Sequence, residues 1–316
     1  MQFLLGRFAP SPKSSFLTFF QFHVIIRQKK EGKEMNVELP KKYKLEKKDI
    51  IIYTISILAC VVALIIVVAM EYMEKEGTTN FFGTKKIEEI SEEQKTELRT
   101  QFNNMFTNTL SGDVIDSRKI EQDKDFIYTG YQNQDSVSGS YSLNVNLPHI
   151  NIQSSILEEY NQEIEKMFKQ KTNDILNSKG NQIVYTVDYT AFVEDNILTI
   201  VIRSNLKQGS DAQQVMVYTY NYDLLNKKEM SVQDMIAKLN YSETDVQNFI
   251  KTKIKVEEQS SKALKELGYN IYVRDSENSM YMIENSKQFF VLNGKLYIVY
   301  AYGNSLQTSE MDLVII

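Results

Sequence analysis

The 316-residue sequence predicts an α+β fold, a mainly antiparallel sheet with packed helices, preceded by one transmembrane helix. Three observations carry that expectation. Residues 50–70, IIIYTISILACVVALIIVVAM, run for 21 positions without a charge. From residue 126 onward, short runs alternate apolar and polar side chains with the period of two that marks half-buried strands. Between those runs lie segments with helix-capping residues and apolar positions three and four apart.

The elements follow in order. Residues 1–34 carry short apolar clusters without a sustained period. Lys30-Glu31-Gly32 is encodable by a string containing AAGGAGG, a ribosome-binding sequence a short distance ahead of Met35. Residues 1–34 therefore read as a mis-assigned leader with Met35 as the start, the alternative being a genuine leader. Residues 35–49 read as a cytoplasmic tail and 50–70 as the membrane helix. At about 1.5 Å per residue, such a run spans a hydrocarbon core of about 30 Å.

Orientation follows from the flanks. Lys41, Lys42, Lys44, Lys47 and Lys48 precede the span, and only Lys75 closely follows it. Residues 1–70 hold 11 basic against 5 acidic side chains, net +6; residues 71–316 hold 25 against 36, net −11. The expectation is a single-pass protein of the cell membrane, amino terminus cytoplasmic and carboxyl-terminal domain extracellular. Ile57-Leu58-Ala59-Cys60 has the form of a lipobox, but apolar residues continue beyond the cysteine, which favours a cysteine inside the span. Val67-Val68-Ala69 suits signal peptidase; the length of the span favours a retained anchor.

Residues 71–120 are expected to be a linker with one helix. Ser91 and Gln94 form a capping-box signature, and Leu98, Phe102, Met105, Phe106 and Leu110 fall on one helical face. Residues 121–225 form a first α+β subdomain. Tyr141, Leu143, Val145 and Leu147 alternate along a strand that Pro148 is expected to end. A long helix follows from about Ser155, capped by Ser155 and Glu158, striped by Leu157, Tyr160, Ile164, Phe168 and Ile175, and stopped by Gly180. Three strands come next, their inner faces set by Ile183 to Ala191, Leu198 to Ile202 and Met216 to Tyr222. Residues 226–316 form a second α+β subdomain. Ser231 with Asp234 and Ser242 with Asp245 cap two helices, the second ending at Leu267-Gly268. A hairpin turns at Asn293-Gly294, and Met311, Leu313 and Ile315 alternate in a last strand. The order β-α-βββ-αα-βββ suggests helices packed on one face of the sheet.

Chemistry-bearing motifs are sparse. The chain has no GxGxxG or GxxxxGK[ST] phosphate loop, no GxSxG elbow and no HExxH. Two histidines, His23 and His149, and one cysteine, Cys60, are too few for a His/Cys zinc site, and no cofactor or metal is expected. Beyond the span only His149 is left to serve a nucleophile as base, and it follows Pro148 at an expected strand end. The carboxylate pairs Glu158/Glu159 and Glu257/Glu258 sit on expected helix faces and read as solvated charge rather than a glycosidase pair. The alternating tyrosines of residues 185–222 suit half-buried sheet packing better than an aromatic platform for sugars. Net −11 outside the membrane argues against nucleic acid and suits a cationic partner.

Three stretches carry a family likeness. YSLNVNLPHINIQSSILEEYNQEIEKMF, ILTIVIRSNLKQGSDAQQVMVYTYNYDLLNKKEMSVQDMI and FFVLNGKLYIVYAYG with SEMDLVII resemble the extracytoplasmic domain of RsiV-type anti-sigma factors, which also accompanies PdaC-type peptidoglycan deacetylases. The likeness covers roughly residues 121–316 and contains no catalytic motif. It implies an α+β fold of two interlocked parts and, by analogy with lysozyme-responsive anti-sigma factors, a domain that binds lysozyme. The chain departs from both relatives. Residues 35–49 are too few to wrap a sigma factor, and there is no TFDD-type stretch or spaced histidine pair of a deacetylase. The expected function is thus a non-enzymatic, membrane-anchored binding or sensing module of the cell envelope, with a cationic envelope protein such as lysozyme as partner. The alternatives are an RsiV-like regulator released by proteolysis and a carboxylate-based hydrolase.

Overall fold

The computed structural model describes residues 54–64, 83–114, 118–178 and 182–316. The chain divides into two units, residues 1–62 and 63–316. In the first, the described residues 54–62 are helical, with Ile55, Ile57, Leu58, Val61 and Val62 exposed. Of the expected membrane span, residues 50–53 and 65–70 lie outside the described residues, as do the leader, the tail and residues 71–82. Among the described residues no helix is long and apolar enough to cross a membrane.

The second unit is α+β and mainly antiparallel. Its elements are α1 (Glu92–Asn104), β1 (Leu110–Ser111), β2 (Ile127–Val137), β3 (Tyr141–Ile150), α2 (Ser155–Leu176), β4 (Ile183–Glu194), β5 (Ile197–Gln208), β6 (Gln214–Asp223) and β7 (Lys228–Glu229). They continue with α3 (Val232–Lys238), α4 (Glu243–Glu266), two 3-10 turns (Ser279–Tyr281 and Ile283–Asn285), β8 (Phe289–Leu292), β9 (Lys295–Ala301), α5 (Gly303–Leu306) and β10 (Met311–Ile315).

The larger sheet has the order β2-β3-β4-β5-β6-β7, and the smaller the order β10-β9-β8. Two pairings in the larger sheet are parallel. β3 joins β4 through the crossover helix α2, with Val145 opposite Val187 as the last pair. Beyond it β1 takes over the vacated edge, Leu110 opposite Ala191. All other pairings are antiparallel.

The layers run α–β–β–α. One face of the larger sheet packs Val145, Tyr185, Val187, Tyr189 and Ile202 against the α2 stripe Leu157, Ile164, Phe168 and Ile175. Part of the opposite face packs Phe192, Val201 and Val217 against Phe102 of α1 and Phe290, Tyr297, Val299, Leu313 and Ile315 of the smaller sheet. The far face of the smaller sheet (Leu296, Ile298, Tyr300, Val314) meets Met235, Ile236, Val246, Ile250 and Ile254 of α3 and α4. Helices therefore cover both outer sides of the stack, where the sequence suggested one face. The smaller sheet is the reason. It spends both its faces, one on the larger sheet and one on α3 and α4.

Local signals set most boundaries. The Ser91–Gln94 and Ser231–Asp234 capping boxes are both formed, and Ser242 accepts from the Asp245 N–H. The β4–β5 and β8–β9 hairpin turns place Asp195, Asn196, Asn293 and Gly294 at positive φ, as tight two-residue loops require.

Three boundaries differ from expectation. Pro148 does not end β3: the strand continues to Ile150, with Pro148 opposite Thr129. Pairing with β4 has already ended at Val145, so the missing N–H is not needed there, and a register shift between Thr129 and Tyr131 absorbs the irregularity. At that shift Gly130 is required, because a Cβ would lie 2.5 Å from the Cβ of His149. The N-cap of α2 is Ser154 rather than Ser155, and it makes no side-chain cap because its hydroxyl meets Tyr222 Oη at 3.1 Å. α1 ends at Asn104, and Leu110 is a strand residue. The chain is turned by Asn108 at φ 57°, whose side chain accepts from the Tyr189 N–H (2.9 Å) and donates to Asp188 (3.0 Å). The expected stop at Gly180 lies outside the described residues.

Candidate functional site

The side chains weighed for chemistry are dispersed and engaged elsewhere. His149 is half-buried in β3 with its ring 5.1 Å from that of Tyr128, its cross-strand partner. Glu158 and Glu159 are exposed on the first turn of α2. Glu258 receives Lys262 and the Ser276 N–H (2.9 Å), and the lysine first, then Ser276, holds its carboxyl down at about 2. Tyr185, Tyr189, Tyr220 and Tyr222 are buried, Tyr220 stacks on Tyr160 at 3.9 Å, and half-buried Tyr218 meets Phe168 edge-on. These tyrosines are core, not an exposed platform. Among the described residues no three His, Cys, Asp or Glu side chains converge as metal ligands would.

Two polar constellations stand out instead. The first is closed. Arg274, 7% exposed, directs Nε and Nη2 to Asp312 (3.0 and 3.1 Å), and Nη1 to Glu310 (2.7 Å) and the Tyr272 carbonyl (2.9 Å). Tyr302 Oη donates to Asp312 and meets Tyr281 Oη at 2.8 Å. The guanidinium also lies 5.2 Å from the Tyr302 ring centre. Burial opposes the charge on Arg274, but the hydrogen bond and charge of Asp312, then Glu310, outweigh it and raise its pKa. Burial, followed by the Asp312 charge, pushes the Tyr302 phenol up. Every strong group here has a partner, which is the condition for burying charge.

The second constellation is open. It lies on the face of the larger sheet opposite α2, at the end that the smaller sheet leaves free. Strand register places two rows of polar side chains across four strands. One row is Gln132, Asn146, Asp188 and Arg203, in which a side-chain bond joins Asn146 to Asp188 just past the last β3–β4 pair; the other is Gln134, Asn144, Thr186 and Asn205. Neighbouring strands lie about 4.8 Å apart, so each row is a ladder of adjacent donors and acceptors. In the first, Gln132 Nε2 donates to Asn146 Oδ1 (3.1 Å), and Asn146 Nδ2 donates to Asp188 and Asn144 (both 3.2 Å). In the second, Asn205 Nδ2 donates to Thr186 Oγ1 (3.2 Å) and its Oδ1 accepts from Gln213 (3.3 Å). Arg203 lies 4.0 Å from the Phe106 ring centre and donates from Nη1 to the Asn103 carbonyl (3.2 Å), while its Nε has no partner. Burial lowers its pKa against the raising effect of Asp188.

Gln132 and Gln134 are exposed, Asn144, Thr186, Asp188, Arg203 and Asn205 half-buried, and Asn146 buried. Amides, a hydroxyl, a carboxylate and a guanidinium thus stand side by side on this face, several of them bonded to one another. Thr186 Oγ1 is engaged by Asn205, and Asp188 by Asn146 and Asn108. The polar positions of β3, Ser142, Asn144 and Asn146, were visible as the outer face of a strand. Their placement beside Thr186, Asp188 and Asn205 was not, because it depends on a parallel pairing across the whole of α2.

No family model and no curated protein matches the chain. It is similar to two solved structures. One is a DUF3298 family protein from Pseudomonas aeruginosa PAO1, at 12% identity and TM-score 0.35, over 60% of this chain and 85% of that one. The other is a member of the same family from Bacteroides fragilis NCTC 9343, at 13% identity and TM-score 0.32, over 55% and 80%. A likeness of this size decides neither fold nor activity.

Proposed function

We propose that the chain is a membrane-anchored, non-catalytic binding module displayed outside the cell. The observation that supports this reading most is the division of its polar groups. The buried ionisable groups around Arg274 are satisfied internally, while the polar side chains left open form a pre-ordered, unreactive array. Residues 50–70 supply the anchor and the lysine asymmetry its direction. The net −11 of residues 71–316 favours a cationic envelope protein, lysozyme being the candidate that the family resemblance supplies.

The test is calorimetric titration of the full chain in phosphatidylcholine nanodiscs with lysozyme at two ionic strengths. Saturable heat that weakens with salt is expected, since screening shortens to about 8 Å at 0.15 M. No heat at either salt removes lysozyme as partner, and salt-independent heat removes the electrostatic argument. Protease added to intact protoplasts should digest the outer part and spare a tag ahead of the span. Protection of the carboxyl end contradicts the orientation.

A second reading, a regulator released by proteolysis, is favoured by one observation. The segment ahead of α1 is strapped to the α3–α4 region: Lys85 N donates to the Asn240 carbonyl (2.6 Å), Asn240 Nδ2 to the Gly83 carbonyl (2.8 Å), and Lys253 pairs with Glu89 (2.9 Å). A partner that loosened this strap would free chain near the membrane for cleavage. Under this reading Asn240→Ala raises shedding of the outer part from cells, followed by immunoblot. Unchanged shedding, with and without lysozyme, counts against it.

A further inference from the structure

We propose that the two-row polar array on the larger sheet is a binding site for a neutral glycan chain. The inference rests on the reading of the outer part as a binding module, but not on the identity of any cationic partner.

Charge and composition together select this ligand class. The two rows contain one carboxylate and one guanidinium, Asp188 and Arg203, which are cross-strand partners and cancel. These two neutral rows offer little attraction to a cationic protein, and Lys207 in the next row of the face is no set of cations for the phosphates of a nucleic acid. Neither row contains an apolar side chain across these four strands. The nearest on this face are Val184 in the next row, exposed, and Val215 and Val217 on β6, buried. These are too few for the hydrophobic centre of a stable protein interface. What the face does offer is adjacent amide donors and acceptors, fixed across strands before any ligand arrives. Vicinal hydroxyl groups need that complement, because each donates and accepts at once. Pre-ordering by Asn146 and by the Asn205–Thr186 bond removes much of the cost of immobilising these side chains on binding. Because the ladder crosses four strands, it suits an extended chain of sugar units better than a single one.

The probe is the tetramer of N-acetylglucosamine, with maltotetraose as a second neutral glycan, titrated into the full chain in phosphatidylcholine nanodiscs. Saturable binding of at least one is expected below about 1 mM. Affinity should stay within twofold between low and high salt, because no net charge faces the ligand. The double variant Asn144→Ala with Asn205→Ala should weaken glycan binding at least tenfold at an unchanged melting temperature. If that variant melts lower, Gln134→Ala at the exposed edge strand decides instead, with at least a threefold loss expected. The proposal is overturned by absence of binding to both glycans, by binding that falls steeply with salt, or by binding that the deciding variant leaves intact. Lysozyme binding without glycan binding would sink this inference alone and leave the binding module standing.

Discussion

Arg274 and Arg203 are the same side chain, each facing an aspartate, yet the molecule treats them in opposite ways. Arg274 has two carboxylates, a carbonyl and aromatic rings around it, and its backbone N–H donates to Ser261 Oγ at 3.2 Å. Arg203 has one carbonyl, one ring and a cross-strand aspartate, and one of its nitrogens lacks a partner. The difference follows from position in the stack. Arg274 sits where α4, the loop before the 3-10 turns and β10 close over it, and a buried charge must be fully paired. Arg203 sits at the limit of the area covered by α1 and the smaller sheet, half-buried, with its unpartnered Nε shielded from solvent. The closed network is thus satisfied within the fold, and the open array is the surface for which we propose a ligand.

Removing a partner from the closed network should have the largest effect. Asp312→Ala strands the Arg274 charge in the interior and is expected to cost about 3–5 kcal/mol in denaturant unfolding. A loss under about 1 kcal/mol would mean that the network is wetter than its burial indicates.

A smaller loss is expected where a buried amide serves the backbone. Asn161, 6% exposed, accepts from the Ile150 N–H and donates to the Ile150 carbonyl, both at 2.9 Å, and so ties the end of β3 to α2. Asn161→Ala leaves both backbone groups unpaired and should cost roughly 1–3 kcal/mol. Faster amide exchange at Ile150 would localise the damage; unaltered exchange there would show that another group had replaced the bond.

pH sharpens the contrast from both sides. Burial first, moderated by Ser286, pushes the Tyr300 phenol up to about 12 from an ordinary 10. Its contribution is complete below pH 10 and is lost as pH rises through 12, so absorbance at 295 nm should show delayed tyrosine ionisation coupled to unfolding. Asp234 runs the other way. The bond to Lys228, then those to Ser231, hold its carboxyl at about 2 against an ordinary 3.8. That contribution is present above 3.8 and fades as pH falls through 2. Ser231→Ala, which removes the capping hydroxyl, should cost about 1 kcal/mol at neutral pH and flatten the acid limb of the stability curve.

Much of the architecture was legible because it is written locally. Ser91, Ser231 and Ser242 announce helix starts through bonds to residues three positions on, and Asp195-Asn196 and Asn293-Gly294 fix hairpins through their own backbone angles. The polar site was not legible because nothing local specifies it. Asn144 meets Thr186 only after β3 has crossed by α2 to lie parallel to β4. Pro148 misled because its cost depends on the neighbouring strands: β4 stops pairing at Val145, and β2, still paired there, shifts register between Thr129 and Tyr131. Leu110 misled because it continues an apolar helical stripe, while Asn108 turns the chain for the sake of a bond to Asp188.

The central claim is that the open array serves a ligand and not the fold. Denaturant unfolding of the Asn144→Ala, Asn205→Ala double variant, beside the parent and Asp312→Ala, tests it most directly. The double variant is expected to stay within about 0.5 kcal/mol of the parent, as half-buried surface changes do, while Asp312→Ala loses several kcal/mol. A double variant destabilised as much as Asp312→Ala would show that the array holds the sheet together, and would contradict the claim.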